Sequence, residues 1–448
     1  MQLAILTAVL AAIAAAEGGG GPVEGVSWRL WAIFAAELAP PLAALVGGHR
    51  LTRDREAEDH GRSAARLESI VIALWLGAVA FILLVGQWPR IVRANWDLAA
   101  LPLVDEIAIL LPVIAPLILI WAAMYRLQGP AQTNDTQSRD TLLRYILLQA
   151  RHHLALVLLP PLAVVGLIES ASALKIAKDL DAVWWFAIPQ LAIVLLLMPL
   201  AVRRLWRTTP LVLQPLRGQL DELCESRGTV LREILVWQTD GTMANAAVVG
   251  MSRYLRYLLL TDVLLSQLTA DQIAAVVRHE LAHLRRWHLP LRLALLLLPV
   301  AWWMAFKQTF PDLDFHIASS FASLGLSSNH ATAIALPLLL LAYAVLVVGW
   351  YSRLLEHDAD VDACLDDNGQ FDCRSAVDFC TALTTLCGDA HESWFSRWLH
   401  PSVSARVGLL NHIAFHPTIA VELRRRMTTL AIVIALLYVA AGGLLLLG

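Results

Sequence analysis

Lysine is almost missing from this chain. In 448 residues it occurs only as Lys175, Lys178 and Lys307, and arginine carries the rest of the positive charge. Charge of any kind is scarce: 16% of residues are charged against 58% hydrophobic, and the mean hydropathy is +0.61. So little charge excludes a soluble globular protein of this length and points to a chain that crosses a membrane several times. The net charge of -3 gives no general attraction to nucleic acid. The five cysteines, Cys224, Cys364, Cys373, Cys380 and Cys387, form no CxxC. Cys373, Cys380 and Cys387 recur every seven residues on one helical face and read as small buried apolar residues rather than as a metal site.

What is abundant is apolar runs close to the ~20 residues that cross a bilayer. They lie near residues 30–47, 68–86, 106–124, 154–174, 183–201, 289–306, 331–350 and 428–447. Leu3–Ala16 is a ninth run, read either as a short span or as a signal peptide. The expected fold is therefore mainly α, with eight or nine transmembrane helices. Arginines cluster in loops 49–66 and 125–153, which places these loops, and the stretch from Arg203 to His288, in the cytoplasm. Glu37, Glu68, Glu106 and Glu169, within or beside spans, either mark a polar cavity or sit at helix ends.

Between Arg203 and Leu268 the composition becomes mixed. Leu216–Arg227 reads as an amphipathic helix. Leu231–Thr239, Ala246–Gly250 and Tyr254–Leu260 read as strands. Thr269, with Gln272 three residues on, forms a capping-box start for a helix expected to run to about Leu289. That helix carries HELAH. His279 and His283 are four apart and share a face, so two imidazoles can meet one metal ion, and Glu280 can take a proton from metal-bound water.

Catalytic zinc usually has three protein ligands and a water. Arg286 and Leu289 stand where a glycine and then a third histidine would continue the motif, and His288 falls one position short. No glutamate occurs between Glu280 and Glu356, which makes Glu356, in SRLLEHDAD, the first glutamate available downstream. Two expected spans between them return the chain to the same side. Asp360 shares a helical face with Glu356 and can accept the free N–H of a ligand histidine. His357, on a different face, is the weaker alternative.

HELAH followed by SRLLEHDAD resembles the membrane-embedded zinc metallopeptidases that include the type I CAAX prenyl endopeptidase and the heat-shock protease HtpX. Asn245-Ala246 with Gly250 and LLLTDVLL resembles that family's edge strand, and His400-Pro401 through Arg406 resembles its late HPxxxxR element. The resemblance covers about residues 205–410; Ala282 stands where the family often has glycine. It implies a small α+β gluzincin-type domain with one Zn2+ held by His279, His283 and Glu356, and Glu280 as base. It further implies His400 as oxyanion donor, Asp360 and Arg406 supporting the ligands, and Asn245 and Ala246 binding an extended peptide. The expected organisation is N-terminal spans over 1–204, a first catalytic half over 205–288, a membrane hairpin over 289–350, a second catalytic half over 351–426 and a last span over 427–448.

The function this implies is a membrane-integrated zinc endopeptidase acting on peptide or protein substrates in the lipid bilayer. The arginine bias suggests a bacterial inner membrane, where quality control is favoured over CAAX-type processing or antirepressor-like signalling. The non-enzyme alternative is a transporter or sensor with an incidental HELAH. Nothing in the sequence points to an oligomeric state. On the basic-loop pattern, reporters fused within 206–288 and 353–425 should be active only in the cytoplasm, and one fused after Gly448 only outside. A Gly448 fusion active in the cytoplasm would show that 428–447 does not cross.

Overall fold

The computed structural model describes residues 2–16, 21–53, 57–98, 103–128, 138–173, 180–239, 243–310, 342–366, 368–387 and 400–447, with single positions 241, 339 and 398. The expected span at 331–350 lies largely outside these residues, as do Lys175 and Lys178. The chain forms two compact units, one up to Trp206 and one from Arg207 onward.

The first unit is helical: α1 (Gln2–Ala16), α2 (Val26–Arg53), α3 (Ala57–Leu84), α4 (Val104–Gln128), α5 (Ser138–Gln149), α6 (Leu156–Ala173) and α7 (Leu180–Leu205). Its core collects Ile5, Val9, Trp75, Ile82, Val113 and Trp121. Pro112 lies inside α4 and has no N–H to give the carbonyl of Ala108. The indole N–H of Trp88 donates to that carbonyl at 3.0 Å instead, so the helix keeps its proline without a stranded acceptor. Arg93 donates to Asp105 at 2.7 Å and Glu106 at 2.8 Å, and Glu169 accepts the backbone N–H of Leu103.

Five helical stretches among the described residues are long and apolar enough to cross a membrane: Val26–His49, Arg66–Leu84, Val104–Tyr125, His288–Thr309 and Thr418–Leu446. A sixth is counted if Leu142–Ala155 and Val157–Leu167 act as one span bent by 51°. The expected count was eight or nine. The 15-residue α1 reaches about 22 Å, short of a ~30 Å hydrocarbon core. The 154–174 run is interrupted by a π-helical turn, Ala150–Ala155, and by Pro160 and Pro161. The 183–201 run falls in α7, which is not among the five.

The second unit carries a four-stranded sheet of β1 (Thr208–Pro210), β2 (Glu233–Trp237), β3 (Ala246–Val249) and β4 (Tyr257–Thr261), in the order β1-β2-β4-β3. β2 and β4 are parallel and the outer pairs antiparallel. β1 was not expected: it is three residues ending in a proline, tolerated because the edge there needs no donor. β3 is the opposite edge. Gly250 ends it at φ 109°, where a Cβ would collide with the carbonyl of Leu255. One core joins the sheet to α8 (Leu216–Ser226), α9 (Asp262–Gln267) and α10 (Ala270–Arg285) through Leu220, Ile234, Leu258, Leu260, Ile273, Val277 and Leu281.

α10 begins with the full capping box: Gln272 N–H donates to Thr269 Oγ1, and Thr269 N–H to Gln272 Oε1. The helix stops at Arg285, short of the expected Leu289. Trp287 adopts φ 58° and a new helix, α11 (His288–Thr309), starts behind it. The break leaves Pro290 in a first turn, where a missing N–H costs nothing. There follow α12 (Gly349–Ala363), α13 (Cys373–Cys387), α14 (Val403–Phe415) and α15 (Thr418–Leu447). Of the cysteine stripe, Cys373 is exposed at the start of α13 and Cys380 is half-buried; among the described residues Cys224 and Cys364 are the buried cysteines.

Because the capping box closes the end of the helix that bears HELAH, Thr269→Ala should destabilise its first turn by about 1 kcal/mol. Amide exchange over Ala270–Ile273 should speed up accordingly. Unchanged exchange would show that sheet packing alone holds this end.

Candidate metal centre

α10 and α12 pack against each other and bring together residues far apart in sequence. His279 Nε2 lies 3.2 Å from His283 Nε2. Glu356 places one oxygen 3.7 Å from His279 Nε2 and the other 3.6 Å from His283 Nε2. Zinc bonds of about 2.0–2.2 Å at tetrahedral angles separate their ligand atoms by roughly 3.3–3.6 Å. The three groups thus stand at the spacing of a common ion, and they form one of two such clusters among the described residues.

The outer edges of the rings decide what lies between them. His279 Nδ1 is 3.0 Å from Asp360 Oδ1, and Asp360 accepts a forked contact from Arg406 at 2.8 and 2.5 Å. His283 Nδ1 is 2.9 Å from His288 Nδ1, and His288 Nε2 is 3.1 Å from Asp358 Oδ2. With ring protons assigned to satisfy both carboxylates, each ligand histidine spends its N–H outward. Two Nε2 lone pairs then face each other, and a proton or a metal ion must sit between them.

The electrostatics agree. Burial disfavours a charged His279, but hydrogen bonds to Asp360 and Glu356 outweigh it and hold the ring up to about 9, so a proton occupies the gap when no metal does. Burial, with His279 beside it, keeps His283 well below the usual range. Glu356 is held well below an ordinary carboxylate against its own burial, by hydrogen bonds from His279 and His400. Desolvation pushes Glu280 up to about 7, within the field of His279, Glu356 and His400. A carboxyl there can both take and return a proton near neutrality.

The remaining sequence candidates fall as follows. His400 is half exposed at the rim, with Nδ1 3.0 Å from Glu356 Oε2. It precedes the helix rather than starting it, because Ser402 is the N-cap of α14. His416, the other His-Pro histidine, ends α14 and meets His412 edge-on. His357 lies off the cluster, 4.0 Å from Asp360. Ala246 is buried in edge strand β3. Asn245 spends its side-chain oxygen on the N–H of Ala246, and its backbone pairs with Thr261.

Four residues escaped the sequence reading. His288 is five residues past His283, off the ligand face of any continuous helix, and reaches His283 only because the chain breaks at Trp287. Asp358 shared the acidic run with the candidates but points the other way around α12. Phe379 of α13 stacks on the His279 ring at 5.3 Å and carries the Arg406 guanidinium at 5.5 Å. Arg292 of α11 reaches Glu356 at 3.4 Å. Only His288 left a signal, as a third histidine just after HELAH.

Residues 215–414 match the model of peptidase family M48. The match covers 200 of the 448 residues and supports reading this stretch as an M48-type peptidase domain. It makes the protein a hydrolase, a metallopeptidase whose helices are long and apolar enough to place it in a membrane. No curated protein matches the chain. Among solved structures, the crystal structure of S. mikatae Ste24p is similar at 15% identity, covering 87% of this chain and 100% of that one, with a TM-score of 0.48.

The His283–His288–Asp358 relay generates a prediction for the M48 domain. His288→Ala and Asp358→Asn should each weaken metal affinity roughly 10–100-fold, as losses of a ligand's hydrogen-bond partner do. Competition against a chelator measures it. Wild-type affinity in both variants would reduce the relay to packing.

Proposed function

We propose that this protein is a membrane-integrated zinc endopeptidase that cleaves membrane-associated proteins. The observation that carries this reading is the buried set His279, His283 and Glu356 at tetrahedral spacing, with both rings anchored from behind. In this reading these three residues hold Zn2+, which when bound supplies a Lewis acid for the scissile carbonyl and a more acidic water.

The chain's own groups do the rest. Glu280 takes the proton of the attacking water and passes it to the leaving amine. His400, at the rim, turns an N–H toward the carbonyl oxygen as negative charge builds there, an effect on the order of 3 kcal/mol for one donor. Arg406 fixes Asp360, and Asp360 fixes the tautomer of His279. Edge strand β3, which has no strand partner on its outer side among the described residues, receives an extended peptide by main-chain hydrogen bonds. In that alignment Asn245 shapes the strand's entry and Ala246 its first paired position. The domain faces the cytoplasm, as the arginine-rich loops direct. The substrates are proteins of the same membrane, cleared in quality control.

His279→Ala, His283→Ala and Glu356→Ala should each lose zinc and activity together, whereas Glu280→Ala should keep zinc and lose activity. Zinc analysis beside a peptidase assay separates the two classes. A Glu356→Ala protein with full zinc at wild-type affinity would mean that another residue completes the site. Glu280→Ala in native membranes should also trap substrates, and trapping only soluble proteins would contradict the quality-control reading. His400→Ala should lower kcat strongly while zinc stays near normal, and His416→Ala should change little. Equal small effects from the two would place the oxyanion donor elsewhere.

A further inference from the structure

The acidic helix α12 has a second charged face. Asp362 lies two residues beyond Asp360 and therefore turns away from the metal-ligand cluster. It opens into a cleft of about 510 Å³, whose charged lining is Arg227, Arg285, Arg286 and Arg424 with Asp362 and Asp366. Arg285 reaches Asp362 at 3.0 Å, Arg286 at 3.2 Å and Arg424 at 3.6 Å. Asp366 is turned to its own loop, where it accepts the N–H groups of Asn368 and Gln370. Four guanidiniums, charged at any physiological pH, thus meet two carboxylates, an excess of two positive charges. The Nε of Arg424 is buried with no hydrogen-bond partner. A buried guanidinium donor without an acceptor is costly, so the Asp362 contact alone does not satisfy Arg424.

The position of the cleft narrows the anion. Arg285 and Arg286 immediately precede the span His288–Thr309, and Arg424 stands in the opening turns of the span Thr418–Leu446. Arginines at such a boundary meet the phosphates of lipid headgroups, and a guanidinium fork matches phosphate oxygens in pairs. We propose that this cleft is a phosphate-binding site. Its ligand is a phosphate-bearing anion, supplied by an anionic phospholipid of the leaflet that α11 and α15 enter or by free phosphate in solution. The proposal does not rest on the peptidase reading, since none of the cleft residues belongs to the metal cluster.

The test uses the full chain in nanodiscs. From discs mixing phosphatidylcholine and phosphatidylglycerol, native mass spectrometry should find phosphatidylglycerol retained on the protein. Arg285→Gln and Arg424→Gln, on different elements, should each lower that retention roughly tenfold, the loss of one charge-assisted contact. Arg426→Gln removes the same charge from an exposed residue paired with Glu422 outside the cleft, and retention should stay unchanged. In discs of phosphatidylcholine alone, titration with inorganic phosphate asks whether the thermal midpoint rises, and whether Arg285→Gln and Arg424→Gln abolish the rise. Lipid retention identifies the headgroup as the source. A phosphate response without retention identifies the free anion, with the same chemistry. Neither response, or equal losses in Arg426→Gln and Arg424→Gln, would overturn the site and leave only a diffusely basic surface. Size-exclusion elution and the far-UV circular dichroism spectrum of the same samples report folding, so that a collapsed variant is recognised and the other substitution decides.

Discussion

Four buried carboxylates on one helix set the terms for the rest of this domain. Glu356, Asp358, Asp360 and Asp362 occupy alternate positions of α12 and are at most 3% exposed. Isolated in an apolar interior, any one of them would cost several kcal/mol or give up its charge. Each is answered by a partner from a different direction. Glu356 faces the two histidines of α10, with Arg292 and His400 beside it. Asp358 meets His288, Asp360 the Arg406 fork, and Asp362 three arginines. Alternation over a helix sends neighbouring acids to different faces, so α10, α11, α14 and α15 must all converge on α12. The tertiary arrangement of the domain can be read as the set of packings that satisfies this one helix.

Much of the centre was legible because its signals are local. The 3.6-residue period alone puts His279 beside His283 and Glu356 beside Asp360, whatever the rest of the chain does. The capping box at Thr269 and Gln272 is likewise a four-residue statement, and it holds in the structure. His288 was not legible because its place depends on a break in the helix. HELAHLRRWH carries no glycine or proline between its histidines, and the left-handed Trp287 that turns His288 back is settled by the proline beyond it and by Asp358 on another helix. Phe379 is an ordinary apolar residue of an amphipathic helix in sequence, and only packing shows it stacked under His279. Of the eight or nine expected spans, five or six pass the test of length and hydropathy among the described residues. Hydropathy sums over a window and does not see that Pro160 and Pro161 follow a π-turn, or that α1 is a helix too short to cross.

The charge balance around the metal cluster explains why its residues tolerate one another. Glu280, Glu356 and Asp360 bring three potential negative charges, and Arg292 and Arg406 two positive ones. The deficit is met by the proton that His279 holds up to about 9. A divalent cation in place of that proton would add one positive charge more, which would lower the cost of ionising Glu280. On the proposed zinc reading, metal binding and activation of Glu280 as base would be one electrostatic event.

The two faces of α12 also tie the chemistry to the membrane boundary. Arg286 contacts Asp362 at 3.2 Å and lies 3.8 Å from Asp358, and Asp358 anchors His288, which anchors His283. A charge entering the arginine cleft therefore competes for a guanidinium two hydrogen bonds from a metal-ligand ring. A helix that must satisfy acids on both faces cannot have one face perturbed without the other registering it.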